Sequence, residues 1–220
     1  MAGLFTPLAR AFAQLDDPVF RGVLLRSVGW AALAFLALLA TAVWLAGHLA
    51  GSGWRGWFAE AASGIGASLL AFWLFIPIAA AIGTLYLDRV AQAVERRFYP
   101  CLPPAKGAQL SVQLWDSIAI GLRILGLNVI ALILLAALPG LGLAIAWAVA
   151  AYAVGRGLFV AVAMRRMGRA EAHALYQRRR LIVLAHGAVL ALAGYVPPAN
   201  LLIPVIGVAA MVHAFQRAAG

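Results

Sequence analysis

From Ile124 to Gly155 the chain carries one charged residue-free run, broken in its middle by Pro139-Gly140-Leu141-Gly142. A helix needs roughly 20 apolar residues to cross about 30 Å of hydrocarbon. The arm before the break, Ile124 to Leu138, falls short, reaching about 22 Å at 1.5 Å per residue. The stretch therefore reads as a hairpin of two short helices that enters a bilayer and turns back. A second hairpin follows, with Leu181 to Val196, the turn Pro197-Pro198-Ala199-Asn200, then Leu201 to Phe215. Asn128 and His186 stand at the same distance before the first proline of their respective turns, a weak internal echo.

These hairpins sit in a chain that is 65% hydrophobic and 11% charged. An ordinary soluble domain is nearer one half apolar and one quarter charged, so the sequence is that of an integral membrane protein. Its apolar residues come in long runs without period-two alternation, which favours helices over a barrel. The fold class expected is an all-α integral membrane protein, with residues 1–220 forming a single membrane domain. It comprises two long transmembrane helices, the two short Pro-broken hairpins at 124–155 and 181–215, and amphipathic cytoplasmic helices.

In chain order, Leu4, Phe5, Leu8, Phe12 and Leu15 recur at three- and four-residue spacing, the pattern of a short amphipathic helix in the interface. A signal peptide is not expected there, because Arg10 is followed by two acids and the apolar run begins only after Arg26. Asp17-Pro18 reads as N-cap and first helical residue, starting a helix that runs through Ala50. Span 1 is placed at 27–50. Gly51-Ser52-Gly53 ends it, and Trp54, Trp57 and Phe58 suit a far-side interface. Span 2 is placed at 65–87, with Pro77 as a kink, and continues into a polar extension carrying Asp88, Arg89, Glu95, Arg96 and Arg97. Leu110 to Leu127 is amphipathic, carrying Asp116 and Arg123, and leads into the first hairpin.

All Lys and Arg residues except Arg55 fall on one side of this arrangement, so both termini are expected in the cytoplasm. The net charge of +10 follows from that distribution, and with no aromatic-basic motif it does not point to nucleic acid. Arg165, Arg166, Arg169, Arg178, Arg179 and Arg180 crowd together beside Glu171, suiting contact with anionic lipid or the gathering of an anionic solute. Arg156 stands alone among apolar residues. It reads either as a side chain snorkelling to the cytoplasmic interface or as part of an ion path.

Cys101 is the only cysteine, which excludes an internal disulfide and a thiolate metal cluster. His48, His173, His186 and His213 are scattered without ligand spacing, so no metal or other cofactor is expected. There is no zinc-binding His-Glu-x-x-His, no Gly-x-Ser-x-Gly elbow, no pair of carboxylates in a span and no phosphate-binding Gly-Lys-Ser/Thr loop. Ser63-Gly64 reads as a helix start. The chain is thus expected to move something or hold something, and not to be an enzyme.

The stretch from Pro198-Ala199-Asn200 through Pro204 and Gly207 to His213-Ala214-Phe215 resembles the C-terminal signature of the bacterial CysZ-type sulfate permeases, grouped with the etoposide-induced-protein membrane family. Pro139-Gly140-Leu141-Gly142 is similar to that family's first hairpin tip, Leu85 to Arg97 to its segment after the second span, and Asp17-Pro18-Val19-Phe20-Arg21 to its entry into the first helix. The resemblance implies an inner-membrane permease for sulfate or a similar small anion, multi-pass, not ATP-driven, feeding sulfur assimilation. It also implies an anion site at the start of the first long helix. Arg21 matches the family's Gly-Leu-Arg-Arg type turn, Gly22 stands where a second arginine belongs, and Arg26 lies one turn on. The expected site is Arg21 with the Gly22 and Val23 amides and Arg26, and Arg156, Asn128 and Asn200 are candidates for an ion path. Hairpins too short to cross would leave membrane surface for partner subunits to complete, so a homo-oligomer is expected. A membrane scaffold or accessory protein of the same family, without its own transport path, is the other reading.

Overall fold

The computed structural model describes residues 2–49, 66, 86–105 and 110–219. Among them the regular elements are helices: α1 (Ala2–Phe12), α2 (Pro18–Leu49), α3 (Leu87–Phe98), α4 (Leu110–Ala137), α5 (Pro139–Met164), α6 (Arg169–Gly194) and α7 (Pro197–Ala219). The far-side loop expected at 51–64, with Ser63, and the body of the span expected at 65–87, with Pro77, lie outside the described residues. The chain forms two compact units, one of Met1–Phe20 with Leu87–Gly220, the other of Arg21–Tyr86.

In the smaller unit, α2 is a continuous apolar helix with Trp30, Leu33, Leu36 and Trp44 exposed along it. Its start is set by local chemistry in the chain just before. The Val19 backbone N–H donates to Asp17 Oδ1 at 2.8 Å, and Pro18 occupies the first helical position, where no donor is needed. Near its other end the His48 ring lies 4.3 Å from that of Trp44. The stretch Pro18–Thr41 is long and apolar enough to cross a membrane, as are Ile118–Ala137 in α4, Gly140–Met164 in α5 and Leu202–Ala219 in α7.

The larger unit contains both hairpins, each with a proline at its bend. The prolines do not form the turns themselves. Leu138 alone joins α4 to α5, and Pro139-Gly140-Leu141-Gly142 is the first turn of α5. Tyr195 and Val196 join α6 to α7, and Pro197-Pro198-Ala199-Asn200 opens α7. The physical reason is shared: a proline cannot donate a backbone hydrogen bond, and the first helical position asks for none. Gly142 is required where it stands, because a Cβ there would overlap the backbone of Leu135 on the preceding helix α4.

The arms run beyond the charge-free stretches. α4 starts at Leu110, well before Ile124, and includes Arg123, whose Nη1 donates to Tyr152 Oη on α5 at 3.4 Å. Both arms of the first hairpin are therefore long enough to cross. In the second hairpin α6 carries Arg178, Arg179 and Arg180, and its apolar part from Leu181 to Gly194 spans about 21 Å.

The hairpins are sewn together along α5 and α6, where Ala151 and Gly155 face Gly187. A Cβ on Gly155 would stand 2.8 Å from the Val183 carbonyl oxygen and 3.2 Å from Gly187 Cα. Small residues at such a seam let two backbones approach without a side chain between them. α7 packs against α1, α3, α5 and α6, and Val205, Ile206 and Val208 to Phe215 along it are buried. α1 does not lie free in an interface: Leu8, Ala11 and Gln14 are buried, and the helix docks on α7. α3 turns Val90, Ala91 and Val94 inward. Just after α3, Tyr99 Oη and His213 Nδ1 are hydrogen-bonded at 2.9 Å, with Phe98 edge-on to the imidazole at 4.8 Å.

Candidate functional site

Where α4, α5 and α6 meet, one buried carboxylate is surrounded by cations. Asp116 lies in the second turn of α4, and its Oδ1 accepts from His173 Nε2 at 2.8 Å and from Arg169 Nε at 3.2 Å. Its Oδ2 is 3.7 Å from Arg156 Nη2. Arg156 in turn approaches His173 Nδ1 at 3.4 Å. A neutral ring accepts from the guanidinium at Nδ1 and donates from Nε2–H to the carboxylate, whereas a protonated ring keeps the bond to the carboxylate and adds its charge. Arg156 is only 9% exposed, and its Nη1 is buried without a hydrogen-bond partner.

Burial alone would raise the Asp116 pKa. The hydrogen bond and charge of His173, the charge of Arg156 and the hydrogen bond of Arg169 outweigh it, and the carboxyl is held below its ordinary 3.8. Tyr176, buried on α6, shows how far the basic neighbourhood extends. Burial and the nearby Tyr152 push its hydroxyl up, while Arg156, Arg180 and Arg123 pull it down, and burial wins. Four guanidiniums, those of Arg123, Arg156, Arg169 and Arg180, thus share a region with one carboxylate. An excess of fixed positive charge at the mouth of an apolar helical unit favours an anion over a cation.

A second polar cluster lies at the end of α5. Arg165, 3% exposed, donates through Nε to Asp88 at 2.6 Å and through Nη1 to Glu95 at 3.0 Å. Arg166 adds Nε to Glu95 at 2.9 Å and Nη1 to the Pro103 carbonyl at 3.0 Å. Each guanidinium is held by two protein acceptors, so this cluster fastens α3 to the α5–α6 corner. The arginine-rich segment therefore divides. Arg165, Arg166 and Arg169 are committed to carboxylates within the unit, while Arg178, Arg179 and Arg180 remain on the exposed side of α6.

Arg156 does not snorkel. Its side chain turns into the unit because Asp116 offers a buried partner, and a buried guanidinium without one is unfavourable. Arg21 and Arg26 are exposed on the first turns of α2. Five residues apart on a continuous helix, they diverge by about 140°. Gly22 and Val23 cannot offer their amides to a ligand: with the helix beginning at Pro18, those N–H groups already serve the i→i−4 ladder. Asn128 is exposed on α4, and Asn200 is half-buried at the start of α7, near Gly194 at the tip of the second hairpin. Arg156 lies about 25 Å of helix from the first tip, so Asn128, Asn200 and Arg156 are not gathered into one site. Asp116 and His173 were not singled out by sequence reasoning. The available signal was that Asp116 is the sole acid between Glu95 and Glu171, on a helix entering the membrane, where an ionised group requires a partner. No group of His, Cys, Asp and Glu able to hold a metal ion occurs among the described residues.

Residues 7–204 match a protein family described as "Sulfate transporter CysZ/Etoposide-induced protein 2.4". Neither a curated protein nor a solved structure matches the chain.

Proposed function

The chain belongs to the sulfate transporter CysZ/etoposide-induced protein 2.4 family, and on that premise we propose that it is an inner-membrane permease for sulfate or a similar small anion. It works without nucleotide hydrolysis, supplies sulfur assimilation, assembles as a homo-oligomer, and keeps both termini in the cytoplasm. The observation that carries this reading is the buried Arg156 guanidinium, with one Nη unpartnered, in a basic neighbourhood holding a single carboxylate. A scaffold has no use for a buried guanidinium with spare donor capacity, whereas an anion path needs one to offset the loss of hydration. The exposed Arg21 and Arg26 suit an entry role, drawing anions toward the membrane surface by charge and not by a helix N-terminus.

The test is uptake of radiolabelled sulfate into liposomes holding the purified full-length protein, without ATP, against empty liposomes. Protein-dependent flux competed by selenate and not by chloride is the expected outcome. Flux equal to that of empty vesicles, with the protein correctly inserted, would leave the scaffold reading in its place. Arg21→Ala is expected to lower the rate at low ionic strength and to have less effect at high salt, as an entry role requires.

A further inference from the structure

We propose that the meeting point of α4, α5 and α6 is a binding site for a tetrahedral dianion, and that Asp116 is its built-in counter-ion, displaced from Arg156 when the anion binds. The inference deepens the permease reading and rests on it. Asp116 makes one contact of each kind to three cationic or hydrogen-donating side chains from two helices: Arg156 on α5, and Arg169 and His173 on α6. A sulfate oxyanion offers the same acceptor chemistry with twice the charge and can take guanidinium N–H groups at each of its oxygens. The Asp116–Arg156 contact is the longest of the three, at 3.7 Å. The Nη1 of the same guanidinium is buried and has no hydrogen-bond partner among the described residues. Arg156 is therefore the member with donor capacity left over, and Asp116 is its loosest partner.

The fold lets the counter-ion move. α4 packs chiefly on α5 and exposes Trp115, Ile118, Leu122, Leu125 and Val129. It is joined to α5 through Leu138, and Gly142 sits against Leu135 beside that joint. Asp116 is about 33 Å of helix from the joint, so a tilt of about 5° carries its carboxylate about 3 Å from the α5 and α6 cations. Arg156, Arg169 and His173 stay behind on the tightly sewn α5–α6 pair. Entry of the anion and departure of Asp116 are then a single exchange that keeps the guanidiniums paired throughout, avoiding the unpaired buried charge that would otherwise oppose transport.

The experiment is equilibrium binding of radiolabelled sulfate to the purified full-length protein, with the liposome assay run in parallel. Asp116→Asn keeps the shape and removes the competing charge, and is expected to bind sulfate at least tenfold more tightly than the wild type. The release step then slows, so its liposome flux is expected to fall. Arg156→Gln alone leaves Asp116 paired with His173 and Arg169 and still competing with the anion, so the informative variant is the Asp116→Asn, Arg156→Gln pair, which removes both the competing charge and the proposed anion donor. That pair is expected to lose the tenfold gain and to bind more weakly than the wild type. Unchanged or weaker binding in Asp116→Asn, or full retention of its gain in the double variant, overturns the proposal. If wild-type liposomes carry sulfate while the binding pattern fails, the site is wrong and the permease reading stands. If the binding pattern holds while wild-type liposomes carry nothing, the site stands and the permease reading fails.

Discussion

The seam between α5 and α6 permits a quantitative test of what holds the larger unit together. A Cβ placed on Gly187 would stand 2.8 Å from Gly155 Cα, and closer still to the Ala151 carbonyl oxygen. Ordinary van der Waals contact begins at 3.4 Å, and both obstacles are helix backbone, which cannot rotate aside. Gly187→Ala must therefore push α5 and α6 apart by about 1 Å, a gap that forfeits roughly a quarter to a half of the dispersion well for each pair along the seam. Overpacking of this kind costs about 1–3 kcal/mol. Taking about 2 kcal/mol, the midpoint of thermal unfolding should fall by about 4–8 °C for a chain of this size. Because Arg156 follows Gly155 on α5 and His173 lies on α6, the same displacement should loosen their 3.4 Å contact and weaken sulfate binding. The measurement is the melting of detergent-purified protein followed by loss of the monodisperse peak in size-exclusion chromatography. Gly155→Ala should behave similarly, and the double variant should cost less than the sum, since either methyl alone opens the seam for both. Melting of Gly187→Ala within about 1 °C of the wild type would refute the close-approach argument, since even a 1 kcal/mol penalty moves the midpoint further than that.

Three further outcomes follow from the charged groups. Glu95→Ala leaves Arg165 buried with Asp88 alone and should destabilise by about 3 kcal/mol, whereas Arg97→Ala, breaking the exposed 3.0 Å pair with Asp16, should cost less than about 1 kcal/mol; comparison of their melting midpoints checks both. Because the Asp116 carboxyl is held below 3.8, the stability it contributes is fully present above that value and is lost as pH falls below 3.8 toward the folded-state pKa. The stability difference between wild type and Asp116→Asn should therefore be flat from pH 7 to about 5, and a loss within that interval in thermal scans would contradict the assignment. Single cysteines at Gly53, Ala105 and Gly168 in a Cys101→Ser background should be labelled in intact cells by an impermeant thiol reagent only at Gly53; labelling at all three would show mixed orientation or a wrong topology assignment.

What could be read from the residues was what their own neighbours decide. Asp17-Pro18 announces the start of α2 because capping is settled within three residues, and the prolines at 139 and 197 announce the bends because a missing N–H is a local fact. The bends were placed a turn late, since a proline marks a helix opening as readily as a turn, and composition does not separate the two. The length of the first hairpin was underestimated for a related reason. Arg123 looks like the edge of the apolar stretch until Tyr152, on the returning helix, is seen to accept from it. The ion pairs of Asp116 and Glu95 were out of reach in another way. Their partners stand 40 residues or more along the chain, and only the packing of α3, α4, α5 and α6 brings them together. Read singly, Arg165, Arg166 and Arg169 resembled a lipid-facing basic patch, because an unpaired arginine and one paired to a distant acid look alike in sequence.

The central place of α7 bears on how the protein is made. It follows α1, α3, α5 and α6 in chain order, yet all four pack on it. During synthesis the ribosome delivers the dependants before their support, so α1 and α3 must wait with Leu8, Ala11, Val90 and Val94 uncovered. Tyr99 likewise waits for the His213 that will accept or donate its hydrogen bond. Membrane insertion of the earlier segments and consolidation of the larger unit are thereby separated in time. A ribosome stalled before Pro197 would leave a chain that is already in the bilayer, still without its keystone, and open to quality-control proteases at its water-exposed helices.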